Sequence, residues 1–207
     1  MTARLKLAEI ISARVCHDLA GPIGTLNATL EMLADGGEDA AAALEIARDA
    51  AVSLQARLRF IRAAWAVDGA ELDAAAILEC CANLPQARKV RLDFDRLAGV
   101  FAAPMTRGLL NLIMLAIEAL PRGGTVVCAG AQKPGVAISI SGVGAAWPSG
   151  FAALLADEAA AWLALRDSRS LQAPLTMLIL RQGGLKLQLM MAGPQASAPP
   201  PLLLTAG

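Results

Sequence analysis

The chain has 207 residues, of which 56% are hydrophobic and 17% charged, and its formal net charge is zero. A folded core is therefore assured, in one domain or two small ones, and disorder over most of the length is excluded. Nucleic acid is excluded as a partner too: there is no basic field, no Tyr, and only 3% aromatic residues for bases to stack on.

Leu7, Ile11, Val15, Leu19, Leu26, Leu30 and Leu33 recur at three- and four-residue spacing. That period predicts one amphipathic helix over roughly residues 3–34. Arg4, Lys6, Glu9 and Arg14 interrupt any signal-peptide-like apolar run. At ~100° per residue, His17 falls on the side away from the apolar stripe. It is the only histidine in the chain. A packed core side chain thus fits it poorly, while general base, metal ligand and phosphate carrier stay open. Pro22 lies inside the periodic run and removes a backbone donor, which predicts a kink one turn past His17, where a partner can dock.

Asp35-Gly36-Gly37-Glu38-Asp39 breaks the period and predicts a turn. A second helix is expected over about residues 38–66. Leu44, Ala51, Leu58 and Trp65 are seven apart, with Ala47, Leu54 and Ile61 between them, an a/d seam over three heptads. Two helices alone cannot bury two such stripes. A homodimer forming a four-helix bundle solves this and is the favoured reading, with packing against the C-terminal half as the alternative.

Asp68 to Glu71 reads as a linker, dividing a hairpin at 1–68 from a second unit at 72–207. Asp73 can cap a short helix through about Asn83. Lys89 to Asp95 alternates as a strand does. Pro104 opens a strong helix over Met105 to Leu120. Thr125 to Gly130 and Gly135 to Ser141 are β-branched runs that read as paired strands. Trp147 to Gly150 is a turn. Helices follow near Phe151–Leu165 and Leu171–Gln182. Leu185 to Met191 and Leu202 to Leu204 close a sheet, and Pro199 to Pro201 are an edge or tail feature. Helices grouped with a mixed sheet predict an α+β sandwich. Cys16, Cys80, Cys81 and Cys128 lack zinc-site spacing and read as reduced thiols. No apolar stretch reaches the ~18 uncharged residues of a membrane span. A soluble, cytoplasmic protein without a membrane partner is expected.

The two halves together carry a resemblance. His17-Asp18-x-x-x-Pro22 resembles the phosphoacceptor box of sensor histidine kinases. Asn111-Leu112 looks like the kinase asparagine box, and Gly142-Val143-Gly144 is similar to the glycine box. Three departures matter. The second asparagine, a magnesium ligand in that pattern, is Leu115 here. The adenine-reading aspartate is Ile140. The glycine-rich lid is replaced by Gln172-Ala173-Pro174-Leu175-Thr176. Leu115 and Ile140 can neither ligate Mg²⁺ nor hydrogen-bond a purine.

This combination resembles the dimeric histidine phosphotransferases of ChpT type, whose Cys-His-Asp-Leu-x-Gly-Pro box matches Cys16 to Pro22. The resemblance implies an N-terminal hairpin forming a dimeric four-helix bundle, followed by a degenerate kinase ATP-binding domain that needs no cofactor. It implies a homodimer that accepts a phosphoryl group on His17 from the receiver domain of a hybrid histidine kinase. The group then passes to receiver aspartates of response regulators, with Mg²⁺ supplied by the receiver.

Asp18 would tune the site electrostatically or touch the partner, unless it is a solvated carboxylate. Arg14, one turn earlier, would contact the phosphate, unless it is an ordinary surface arginine. Ile23, with Gly21 and Pro22, would flank the docking surface. Cys16 would be a small buried residue. Gly21 stands where bifunctional kinases carry the side chain that positions a hydrolytic water, so poor phosphatase activity is implied. The competing readings are an atypical ATP-using histidine kinase and a non-catalytic dimeric adaptor that binds receiver domains.

Overall fold

The computed structural model describes residues 2–35, 39–191 and 198–207. Helix α1 runs Ala3–Ala34 and α2 runs Ala40–Trp65, packed side by side. Thr2 caps α1, its hydroxyl accepting from the Leu5 amide at 3.4 Å. The helix runs unbroken through Pro22. Positions 36–38 of the expected turn lie outside the described residues.

The heptad seam is only partly buried. Of its positions only Ala47 is buried, while Ala51, Leu54, Ile61 and Trp65 are half-buried and Leu44 and Leu58 remain exposed; the other buried alanines, Ala43 and Ala50, lie one residue before seam positions. The open end of the hairpin is covered by the C-terminal layer of the same chain. Ile10 of α1 packs with Leu165, Leu171, Leu175 and Ile179, and Phe60 and Ala64 of α2 enter the main core.

The second layer begins with strand β1 (Leu72–Asp73) and helix α3 (Ala74–Ala82). Asp73 caps α3 as expected, accepting from the Ala76 amide at 2.8 Å. A 3-10 turn (Pro85–Lys89) leads into β2 (Val90–Leu97), followed by β3 (Val100–Phe101), α4 (Ala103–Glu118), β4 (Gly124–Ala131) and β5 (Gly135–Ser141). Helices α5 (Phe151–Ala156), α6 (Glu158–Ala164) and α7 (Gln172–Gln182) precede β6 (Leu185–Leu189) and β7 (Leu202–Ala206).

Five strands form one mixed sheet in the order β2-β4-β5-β7-β6, with β2 and β4 parallel and the other pairs antiparallel. Strands β1 and β3 pair separately, a ribbon too short for sequence periodicity to reveal. Val126, Cys128, Val136, Ile138, Ile140, Leu202 and Leu204 are buried at alternate positions, so one sheet face carries the core. Helix α4, buried almost all round, is the centre of that core.

Two expectations are corrected. The single helix near Phe151–Leu165 is two, because Asp157 adopts extended backbone and caps α6 through the Ala159 amide at 2.9 Å. The Pro199–Pro201 segment is neither tail nor edge. It feeds β7, which lies inside the sheet between β5 and β6, and the Pro200 carbonyl accepts from the Trp147 indole at 2.8 Å.

Candidate functional site

Midway along α1 the His17 side chain is 84% exposed. Its Nδ1 lies 3.4 Å from Asp18 Oδ1, a long contact. Asp18 itself is not solvated: its side chain is 17% exposed. Oδ2 accepts from Arg14 Nε at 2.8 Å, a pair that the four-residue helical spacing brings together. The Asp18 backbone carbonyl accepts from Arg57 Nη1 on α2 at 2.6 Å. The carboxylate is therefore fixed on one side and reaches back to the imidazole on the other.

Arg14 is not an ordinary surface arginine: its side chain is 14% exposed. Besides Asp18, it donates from Nη2 to Glu118 Oε1 at 2.9 Å and from Nη1 to the Ser168 carbonyl at 3.2 Å. Both acceptors belong to the C-terminal layer. Burial is the largest single influence on its guanidinium and opposes the charge, but Asp18 and Glu118 together outweigh it and hold the proton more tightly than usual. Glu118 shows the opposite balance. Burial pushes its carboxyl up, and Arg14 only partly offsets this while Asp18 adds to it.

Cys16 is exposed, not buried as expected, because it shares the outward face of α1. Ile23 is 43% exposed. Gly21 is exposed and Pro22 half-buried, and with Thr25, Asp49, Arg57 and Arg88 they line an open cleft of about 440 Å³.

The kinase-like positions have become core. Asn111 is fully buried and uses all of its hydrogen-bonding capacity. Its Oδ1 accepts from Trp65 Nε1 at 3.0 Å and Gln172 Nε2 at 3.2 Å, and its Nδ2 donates to the Ala64 and Arg107 carbonyls, each at 2.9 Å. Leu115 and Ile140 are each 1% exposed. Gly142 is explained by packing, since a Cβ there would meet the Gly123 carbonyl oxygen at 2.5 Å. Residues 172–176, in place of a lid, form the buried first turns of α7. Among the described residues no cluster of His, Cys, Asp or Glu could hold a metal, and no helix is long and apolar enough to cross a membrane.

A family profile described as the histidine phosphotransferase C-terminal domain matches residues 71–195, over half of the chain. This chain belongs to the histidine phosphotransferase family. The phosphotransferase is also 26% identical over 191 residues to the protein phosphotransferase ChpT of Brucella abortus (strain 2308), covering 89% of this chain and 90% of that one. A solved structure of a bacterial phosphotransferase shares the fold, with a TM-score of 0.72 at 23% identity over 99% of this chain and 97% of that one.

Sequence reasoning missed Glu118, Ser168, Arg57 and Gln172 as members of these networks. Glu118 alone left a signal. It ends α4, where a carboxylate opposes the helix dipole, so an unseen cation was to be sought nearby.

Proposed function

We propose that this phosphotransferase relays phosphoryl groups through His17. The observation that carries the reading is the exposure of the sole histidine on a rigid helix with a carboxylate at its Nδ1. An ionised carboxylate only accepts hydrogen bonds, so Asp18 Oδ1 favours the tautomer with the proton on Nδ1. The lone pair then sits on Nε2. In the transfer step Nε2 attacks phosphorus of a receiver aspartyl phosphate. The N–P bond forms, the P–O bond to the aspartyl carboxylate breaks, and that carboxylate leaves with the bonding pair. The phosphoimidazolium keeps its Nδ1 proton and its positive charge, which Asp18 offsets. The reverse reaction loads the next receiver.

The donor is the receiver domain of a hybrid histidine kinase, and the acceptors are response regulators. The receiver contributes Mg²⁺, which neutralises phosphoryl charge. Docking uses the face of α1 around Ile23, Gly21 and Pro22, in a cytoplasmic homodimer built on the hairpin. The inward commitment of Asn111, with Leu115 and Ile140 in place of polar ligands, supports transfer without ATP and counts against the atypical kinase. The exposed imidazole counts against the pure adaptor, which has no use for it.

A reconstituted relay with a phosphorylated receiver domain as donor tests this. Wild type should pass label to a second receiver, and His17→Ala should lose at least about 1,000-fold in rate, as expected when a covalent nucleophile is removed. Equal relay by both proteins overturns the reading. Labelling of wild type from ATP alone would replace it with the kinase.

A further inference from the structure

The C-terminal layer does more than cover one end of the hairpin. We propose that Glu118 is a positioning residue for His17, acting as the counter-ion that occupies Arg14 and thereby leaves the Asp18 charge available to the imidazole. This rests on the phosphotransfer reading of His17.

Four side chains form a continuous line: Glu118 Oε1 to Arg14 Nη2 at 2.9 Å, Arg14 Nε to Asp18 Oδ2 at 2.8 Å, and Asp18 Oδ1 to His17 Nδ1 at 3.4 Å. One guanidinium in this line meets two carboxylates. With Glu118 ionised, the cluster of three carries one surplus negative charge. Asp18 needs only one oxygen for Arg14, and the other faces the ring. With Glu118 neutral, Arg14 has Asp18 as its one ionised partner in the line. The favoured geometry is then a two-pronged pair using both Asp18 oxygens, which draws Oδ1 from Nδ1. Arg57 does not pair with the Asp18 carboxylate, because it bonds the Asp18 backbone carbonyl.

The placement of Glu118 supports a role for its charge. It stands at the C-terminal end of α4, the unfavourable end of the dipole for an anion. Its side chain is only 28% exposed, so the charge is also partly desolvated. A neutral residue would be cheaper for the helix. The carboxylate is accounted for by what it binds, and Arg14 is fixed from the same layer a second time through the Ser168 carbonyl.

The sole histidine makes the test direct, since ¹⁵N spectra of the imidazole hold one residue. At a pH where the ring is neutral, wild type should carry its proton on Nδ1. Glu118→Gln, nearly isosteric, should move the proton toward Nε2 and slow receiver-to-His17 transfer roughly threefold to tenfold, the scale of one charge-assisted hydrogen bond acting at second hand. Adding Arg14→Met to Glu118→Gln restores one uncompensated carboxylate and should return the tautomer toward Nδ1. A stability-only ion pair predicts no tautomer change in the single variant and no recovery in the double. Either result overturns the role of Glu118 while leaving His17 in place as the acceptor. Relay that survives His17→Ala removes the parent reading instead.

Discussion

Asn111 and His17 are both polar residues on helices, and burial assigns them opposite uses. The Asn111 amide joins the end of α2, α4 and α7, so truncating it strands the Trp65 indole N–H and the Ala64 carbonyl, while Gln172 keeps the Asn111 backbone carbonyl and the Thr176 hydroxyl. Asn111→Ala should therefore cost about 3 kcal/mol, read as a lower urea midpoint at unchanged slope. A loss below about 1 kcal/mol would mean that water or repacking satisfies those groups. The residue was legible in the sequence as an asparagine inside an apolar helix. Its inward hydrogen bonds were not, since they join positions 46 and 61 residues away in the chain. His17 was legible because helical periodicity fixes the face of a residue on a long helix, and the exposed ring lies where that period puts it.

The hairpin shows what an amphipathic period settles and what it leaves open. It marks α1 and α2 closely, yet the apolar stripe is wider than one contact requires. Alanines of α2 meet α1, Phe60 and Ala64 meet the C-terminal layer, and Leu30, Leu44 and Leu58 stay exposed at 51%, 41% and 43%. Leucines left outside on both helices support the proposed homodimer. Leu44→Glu should convert a dimer into a monomer in sedimentation, with helicity by circular dichroism retained. A wild-type chain that sediments as a monomer at tens of micromolar would remove the dimer. The break at Asp157 was hidden because alanine-rich sequence on both sides is helical, while one carboxylate capping the next amide decides where a new helix starts.

For the whole molecule, buried thiols set the response to alkali. Burial pushes both Cys81 and Cys128 well up, with neighbouring Cys80 and Cys128 adding at Cys81 and Asp93 adding at Cys128. The folded protein thus keeps protons that the unfolded chain releases above its ordinary thiol value of about 8.5. Stability is fully present below that value and falls as pH rises beyond it, because the unfolded state binds fewer protons there. Denaturant midpoints should drop between about pH 8.5 and 10.5, and Cys128→Ala should flatten that slope. An unchanged slope would mean that other groups govern alkaline unfolding.

The sequence by itself determined the helical hairpin, the strands of the sheet and the outward face of His17, because each follows from a period of two or 3.6 residues and its caps. Only the tertiary structure decided what surrounds the imidazole. Arg14, Asp18, Glu118 and Ser168 come together because the first half of α1 packs on the C-terminal layer, a meeting across more than a hundred residues of chain. Local patterns carry no record of such a contact. The charge left for His17 depends on it.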